Sequence, residues 1–143
     1  MVNDLVALQR GGRISGSVAA AGSKLDIKPI VAFDAEGRLN LAGIARGRKK
    51  AMASLVKFYD AHANKDSDYT YVIVGNADCP KDAEKTCAML RKIDENLVII
   101  NGSIGPVIGS HTGAGLIGVM FWGSDMREDL SVADRIANKI KKS

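Results

Sequence analysis

Aromatic residues are scarce in this chain of 143 residues, where phenylalanine, tyrosine and tryptophan together make up 5% of the sequence. Proteins that bind single-stranded nucleic acid stack the bases on aromatic side chains along a positively charged groove. With few aromatics and a formal net charge of only +4, the composition argues against a nucleic-acid partner.

Cysteine is also rare, with Cys79 and Cys87 as the two cysteines of the chain. Their separation of eight residues fits neither a metal-ligand motif nor the disulfide framework of a small secreted protein. We expect both to be reduced thiols of the core, and we expect neither a metal nor a cofactor.

Long apolar runs are missing as well. No run approaches the roughly 18 residues that a membrane-spanning helix needs, and no charged and then apolar leader precedes the domain. These absences predict a cytoplasmic protein without an integral membrane segment.

The remaining composition is that of one folded domain, with 46% hydrophobic and 25% charged residues. Hydrophobic periodicity and turn residues predict helices that alternate with strands. This order predicts an α/β fold in which helices sandwich a mixed β-sheet within a single domain. The predicted strands are 27–33, 39–45, 69–75, 97–101 and 116–121, and the predicted helices are a first one ending at Arg10 and then 49–63, 80–93 and 126–141.

Residues 102–115 are dense in glycine and contain Ser110, His111 and Thr112. Glycine costs conformational entropy, so such a segment indicates a loop that approaches a ligand or another backbone closely. Residues 113–118 match a dinucleotide-binding pattern, but a strand follows them where that motif needs a helix. His111 fits two interpretations equally, a donor to an anion or carboxyl group and a loop histidine with a structural partner.

Four cations cluster between Arg46 and Lys50, at the predicted N-terminus of a helix. The helix dipole disfavours positive charge at this end, so the cluster favours contact with an anion or an acidic partner. Arg13 offers a planar fork of donors for a carboxylate or phosphate. No spacing defines a nucleophile with its base, and we therefore assign no catalytic residue.

Four segments together resemble the C-terminal domain of the DegV family of bacterial fatty-acid-binding proteins. In order they are residues 11–15 (GGRIS), 25–30 (LDIKPI), 46–51 (RGRKKA) and 102–115 (GSIGPVIGSHTGAG). Ser110 stands where the family usually has threonine, and Ala114 where it usually has proline. The resemblance covers about residues 5–121, so we expect residues 1–143 to be this domain with an extra C-terminal helix over 123–143.

The resemblance implies a non-enzymatic, two-domain protein that buries a fatty acyl tail between its halves and presents the carboxyl group to a fatty acid kinase. The N-terminal domain of the family, which also contributes hydroxyls to the carboxylate site, is missing from this sequence. The expected residues are Arg13, Ser110, His111 and Thr112 for the carboxylate, Ile14, Val18 and Ala19 for the acyl tail, and Arg46, Arg48 and Lys49 for kinase docking.

Two other functions stay open at this point. One is an acyl- or phosphate-handling enzyme that uses His111 as its base. The other is a structural or oligomerisation domain.

Overall fold

The described helices and strands follow the predicted order, with one additional helix in the glycine-rich segment. The computed structural model describes residues 1–3, 5–12, 25–33, 37, 39–65 and 71–123. The predicted helix 126–141 and the predicted tail-binding segment lie outside these residues. The described elements are α1 (Leu5–Arg10), β1 (Ile27–Phe33), β2 (Leu39–Arg46), α2 (Arg48–His62), β3 (Tyr71–Asn76), α3 (Pro80–Arg91), β4 (Val98–Ser103), α4 (Pro106–Thr112) and β5 (Ile117–Phe121).

The strands form two sheets within the described residues. β1 and β2 make an antiparallel hairpin, with a bulge between Ile30 and Val31. The second sheet has the order β4-β3-β5, in which β3 runs parallel to β4 and antiparallel to β5. The crossover through α3 explains the parallel pair, because parallel neighbours need a long connection. The predicted α/β fold with mixed strand directions is confirmed, although its strands divide between two sheets.

Residues Met1 and Val2 connect the two sheets through backbone hydrogen bonds. The amino nitrogen of Met1 donates to the Ile117 carbonyl over 2.8 Å, and the Ile117 amide donates to the Met1 carbonyl over 3.1 Å. On the other side, the Val2 amide donates to the Pro29 carbonyl over 2.9 Å. The start of the chain therefore lies between β5 and β1.

The main core lies between α2, α3, the β1–β2 hairpin and one face of the three-stranded sheet. The predicted apolar face of α2 is buried, and its Tyr59 packs edge-on against Phe121 with ring centroids 5.1 Å apart. Val72 and Val74 of β3 are fully buried beneath the helices. A smaller cluster, formed by Val2, Leu5, Leu8 and Leu116, fixes α1 to the end of the fold.

The predicted helix 80–93 is confirmed over most of its length as α3. Pro80 is in its first turn, and Ala83, Cys87 and Leu90 are buried. It ends at Arg91, two residues before the predicted end, and Ile93, which was predicted within the helix, is exposed after it. Both cysteines are free thiols. Cys87 is buried as predicted, and burial raises the pKa of its thiol. Cys79 precedes the helix and is half-buried.

The glycine-rich segment differs from its prediction as a loop, because residues Pro106–Thr112 form the two-turn helix α4. Pro106 occupies the first turn, where its missing N–H costs no hydrogen bond. Gly113 ends the helix with a φ of 75°, a conformation that glycine adopts without strain. His111 therefore lies in the last turn of a short helix.

The face of the three-stranded sheet opposite α2 and α3 carries large apolar side chains. Each pair of strands aligns them in rows, with Ile73 beside both Ile100 and Met120. Within the described residues this face is exposed. None of the described helices is long and apolar enough to cross a membrane. The large apolar side chains on this sheet face are Tyr71, Ile73, Val98, Ile100, Met120 and Trp122.

Candidate functional site

The candidate site is built where the end of α1 meets the end of α4. The Gly11 amide donates to the Ala7 carbonyl over 3.0 Å, which closes α1. Gly11 then lies directly against His111, since a Cβ built on Gly11 would be 3.1 Å from the His111 carbonyl oxygen and 3.2 Å from Nδ1. Two motifs separated by about 100 residues in the chain thus adjoin in space.

The same end of the molecule explains why glycine is needed after α4. Gly113 and Gly115 both have positive φ, at 75° and 84°. A Cβ at Gly113 would lie 2.8 Å from the Ala7 Cβ, and one at Gly115 would lie 2.8 Å from the Asn3 Cβ. The N-terminal segment therefore packs against the backbone of this turn, which a larger residue would prevent.

The hydroxyl groups beside His111 are engaged within α4. Ser110 Oγ donates to the Val107 carbonyl over 2.9 Å, and Thr112 Oγ1 donates to the Ile108 carbonyl over 2.8 Å. Thr112 is buried, whereas Ser110 and His111 are exposed. In this arrangement the hydroxyl hydrogens point back into the helix, so the imidazole is the exposed donor that this turn offers to an anion.

The Arg48 side chain makes its hydrogen bonds within the chain. Its Nε donates to Asp82 Oδ2, while Nη1 donates to Asn3 Oδ1 over 2.8 Å and to the Gly115 carbonyl over 2.9 Å. The guanidinium joins the start of α2 to the first turn of α3, the N-terminal segment and the glycine turn. The remaining nitrogen, Nη2, is buried and has no hydrogen-bond partner among the described residues.

The Asp82 carboxylate is the anion that Arg48 of the cation cluster contacts within the chain. Hydrogen bonds from Arg48 and Lys85 hold the pKa of the Asp82 carboxyl below its ordinary value. Its place in the first turn of α3 also favours negative charge. The expected anionic contact is therefore present for Arg48, but its partner belongs to the chain itself.

The other two docking residues remain at the surface. Arg46 at the end of β2 and Lys49 in the first turn of α2 are both exposed. They lie on either side of Gly47 and Arg48 in the sequence, so the internal contacts of Arg48 also position them. Their role in docking stays a prediction.

Four predicted site residues, Arg13, Ile14, Val18 and Ala19, lie outside the described residues. Sequence reasoning missed the contacts of Asn3 and Asp82 with Arg48, because no local pattern links residues that lie 34 or more positions apart. It also missed the contact of Gly11 with His111, although both glycine-rich segments had been recognised. Among the described residues, no cluster of histidine, cysteine or acidic side chains is arranged to hold a metal.

Residues 1–123 match the sequence profile of the DegV family of uncharacterised proteins. The chain therefore belongs to the DegV family. The match ends at Gly123, so the last 20 residues have no counterpart in it.

Relatives of this chain are about twice its size. A DegV domain-containing protein of Clostridium perfringens is 38% identical over 122 residues, which cover 85% of this chain and 42% of the relative. Protein DegV of Bacillus subtilis is 35% identical over 119 residues, which cover 83% of this chain and 42% of that protein. The chain thus spans less than half the length of the curated relatives it matches.

Solved structures of the family share the fold. DegV from Bacillus subtilis, described as a fatty acid binding protein, matches with a TM-score of 0.63 and 33% identity over 86% of this chain and 43% of its own. A fatty acid binding DegV family protein from Streptococcus agalactiae matches with a TM-score of 0.64 and 30% identity, over 82% of this chain and 41% of its own.

Proposed function

We propose that this chain supplies part of a fatty-acid-binding cleft and works as a lipid carrier without catalysis of its own. The contact between Gly11 and His111 carries this proposal, because it joins the two motifs that the family resemblance assigns to the carboxylate. Relatives from Bacillus subtilis and Streptococcus agalactiae, both described as fatty acid binding proteins, support the ligand class.

The proposed carboxylate site pairs the exposed imidazole of His111 with the guanidinium of Arg13. Arg13 follows Gly11 by two residues, and consecutive Cα atoms are about 3.8 Å apart, so its Cα lies within about 8 Å of the Gly11 Cα. An arginine side chain reaches across that distance. His111 and Arg13 would then donate to the carboxylate together, with Ser110 and Thr112 joining if their hydroxyls turn away from α4.

The acyl tail would extend away from this polar end into an apolar slot. Ile14, Val18 and Ala19 supply aliphatic surface in the segment that follows Arg13, and the neighbouring small residues allow close packing. A fatty acid bound in this way has its carboxylate near the surface and its tail inside the protein. We propose that the rest of the cleft comes from the remainder of a longer DegV protein, with residues 1–143 as its second domain.

An acyl kinase is the proposed partner for the exposed carboxylate, in a cytoplasmic setting. Arg46 and Lys49 give the surface exposed positive charge, which suits an acidic docking partner. Arg48 takes part indirectly, because its bonds to Asp82 and Gly115 connect the docking cations with the turn that follows His111.

Calorimetry with delipidated protein tests the proposal. Since the proposed cleft is shared with the rest of a longer DegV protein, this chain alone is expected to bind palmitate or oleate more weakly than DegV from Bacillus subtilis does. In a protein with the rest of a DegV chain restored, His111→Ala is expected to lower the affinity about tenfold, the value of one hydrogen bond to a charged group.

His62→Ala is the matched control, because His62 is the last residue of α2 and its ring stacks on Phe58. Equal losses from both variants, or full affinity in the chain alone, would contradict a split site. Acyl phosphate turnover that disappears with His111→Ala would establish the enzymatic alternative instead.

A further inference from the structure

Asn3 is the point where three of the four family-like segments meet. Its backbone carbonyl accepts a hydrogen bond from Lys28 Nζ over 2.9 Å, and its side-chain Oδ1 accepts one from Arg48 Nη1 over 2.8 Å. Gly115 packs against it so closely that a Cβ built on this glycine would lie 2.8 Å from the Asn3 Cβ. Lys28, Arg48 and Gly115 each belong to a different one of these segments, so Asn3 connects all three.

The glycine turn after α4 is held from two sides at Gly115. The Gly115 amide donates to the Ala77 carbonyl over 2.6 Å, and the Gly115 carbonyl accepts from Arg48 Nη1 over 2.9 Å. Gly113 and Gly115 both have positive φ. Because glycine populates positive and negative φ about equally, this turn has little conformational preference of its own. Its contacts, the bond from Arg48 among them, therefore decide its conformation.

A displacement of Gly115 would reach His111 through a short stretch of backbone. The Gly113 amide donates to the Gly109 carbonyl over 2.8 Å and closes the last turn of α4, two residues before Gly115. His111 lies in this last turn, and its backbone packs against Gly11. Because the His111 side chain is exposed, its place follows from the backbone that carries it.

The geometry of the Arg48 side chain suits a hold on this turn. The side chain is 25% exposed and that of Asp82 is 20% exposed, whereas Arg46 lies at the surface. A guanidinium is a rigid planar fork, so its nitrogens reach acceptors on different segments at once. Nε contacts Asp82 while Nη1 contacts Gly115 and Asn3. A lysine carries its charge on a single nitrogen, which could pair with Asp82 but would give up the Nη1 contacts.

We propose that Arg48 is a positioning residue of the carboxylate site. By holding the Gly115 carbonyl it fixes the turn after α4 and, through that turn, the place of the His111 imidazole. This role rests on the proposed function for its ligand, a fatty acid carboxylate, whereas the hold on His111 exists in the unliganded chain. Loss of the Nη1 bond leaves the turn free to move away from Asn3.

Two-dimensional NMR of the histidine rings in the 143-residue chain tests the hold without any ligand. Arg48→Lys keeps the positive charge and is expected to shift the His111 ring resonances. Arg48→Gln keeps a donor near the position of Nε and none at Nη1, so it is expected to shift them as well and gives a second reading if the lysine variant fails to fold. Far-UV circular dichroism identifies the folded variants.

The chain offers three controls for this measurement. His62 is an internal reference, because Arg48 and His62 are the first and last residues of the 15-residue α2, whose ends are about 20 Å apart. Arg46→Lys makes the same substitution at an exposed position and is expected to move neither histidine. Asp82→Asn removes the charge of the ion pair but leaves the Arg48 bond to Gly115, so the His111 resonances are expected to stay in place.

Calorimetry connects the hold with binding. In a protein with the rest of a DegV chain restored, Arg48→Lys is expected to lower the affinity for palmitate about threefold, since the imidazole is displaced but still present. This loss is smaller than the one expected from His111→Ala, and Arg46→Lys is expected to leave the affinity unchanged.

Three results would overturn the positioning role. Unchanged His111 resonances in both Arg48 variants would show that the bond to Ala77 holds the turn by itself. An equal shift with Asp82→Asn would assign the effect to the ion pair. A shift with Arg48→Lys but undiminished palmitate affinity would separate the turn from binding, while a loss with His111→Ala would still support the proposed carboxylate site. No loss with His111→Ala would reject that site itself.

Discussion

Gly11 lies against His111 so closely that a methyl group on its Cα would come within 3.2 Å of the imidazole Nδ1. This contact places the end of α1 next to the last turn of α4. The position of His111 therefore depends on a residue that has no side chain and that precedes it by 100 positions. Access to the imidazole is set by packing between two motifs.

A methyl group at this contact tests that dependence. Gly11→Ala is expected to displace His111 by a few tenths of an ångström, because the new Cβ would lie 3.1 Å from the His111 carbonyl oxygen. Two-dimensional NMR measures the displacement as a shift of the His111 ring resonances, in a chain with only two histidines. Gly12→Ala is the control for the His111 displacement, because a Cβ there meets nothing within 4 Å; its φ of 72° adds a strain of its own, so the two variants are compared by the His111 shift and not by stability. If both variants leave the His111 signals in place, the two motifs are not coupled.

The turn after α4 has a separate requirement for glycine. Gly113→Ala combines a positive φ, which costs an L-residue about 1–2 kcal/mol, with a clash against the Ala7 Cβ at 2.8 Å. Urea denaturation is expected to show a loss of about 2 kcal/mol or more. Gly109→Ala, inside α4 and facing open space, is expected to increase stability by about 0.5–1 kcal/mol. A loss at Gly109 equal to that at Gly113 would contradict this assignment.

The cation cluster at the start of α2 divides into one internal and two external residues. Arg48→Ala removes bonds to Asp82, Asn3 and Gly115, and it is expected to lower the free energy of unfolding by about 1–3 kcal/mol. Arg46→Ala and Lys49→Ala are expected to change it by less than about 0.5 kcal/mol, as is usual for surface substitutions. Thermal and urea unfolding of the three variants separates these outcomes. Equal effects would mean that the Arg48 bonds do not stabilise the fold.

Acid should weaken the contact between Arg48 and Asp82. The pKa of Asp82 is lower in the folded chain than in the unfolded one, where it is about 3.9. The stabilisation by this carboxylate is therefore fully present above about pH 4 and is lost as the pH falls through the lower folded value. Unfolding experiments at pH 7 and pH 3 compare the unmodified chain with Asp82→Asn. The stability difference is expected to be smaller at pH 3, and a constant difference would contradict the assignment.

Local patterns predicted the regular elements well. The apolar spacing of Met52, Leu55, Val56 and Tyr59 placed α2 within one residue of its observed ends, since such a stripe can be buried only by a helix. Pro80 marked the start of α3 for a similarly local reason. The glycine-rich segment was predicted as a loop because glycine weakens helices, yet Pro106 at the start and Gly113 after the end are the signals of a short helix.

Arg48 shows where local reasoning fails. Its sequence neighbours are cations, so the pattern favoured an anion or an acidic partner, and nothing nearby reveals that this anion is Asp82 of the same chain. Ion pairing across 34 residues follows from how α2 and α3 pack, and the same is true of the contact between Gly11 and His111. Periodicity reports which side of an element is apolar but carries no information about the element it faces.

The sequence by itself determined the α/β order of elements, the family and the residue types available for an anionic ligand, because these follow from local spacing and motif content. Only the tertiary structure decided that the Arg48 side chain is bound within the chain, that α4 carries His111 and that, among the described residues, one face of the three-stranded sheet is exposed. Such pairings depend on the packing of side chains from distant parts of the chain, which local patterns do not encode.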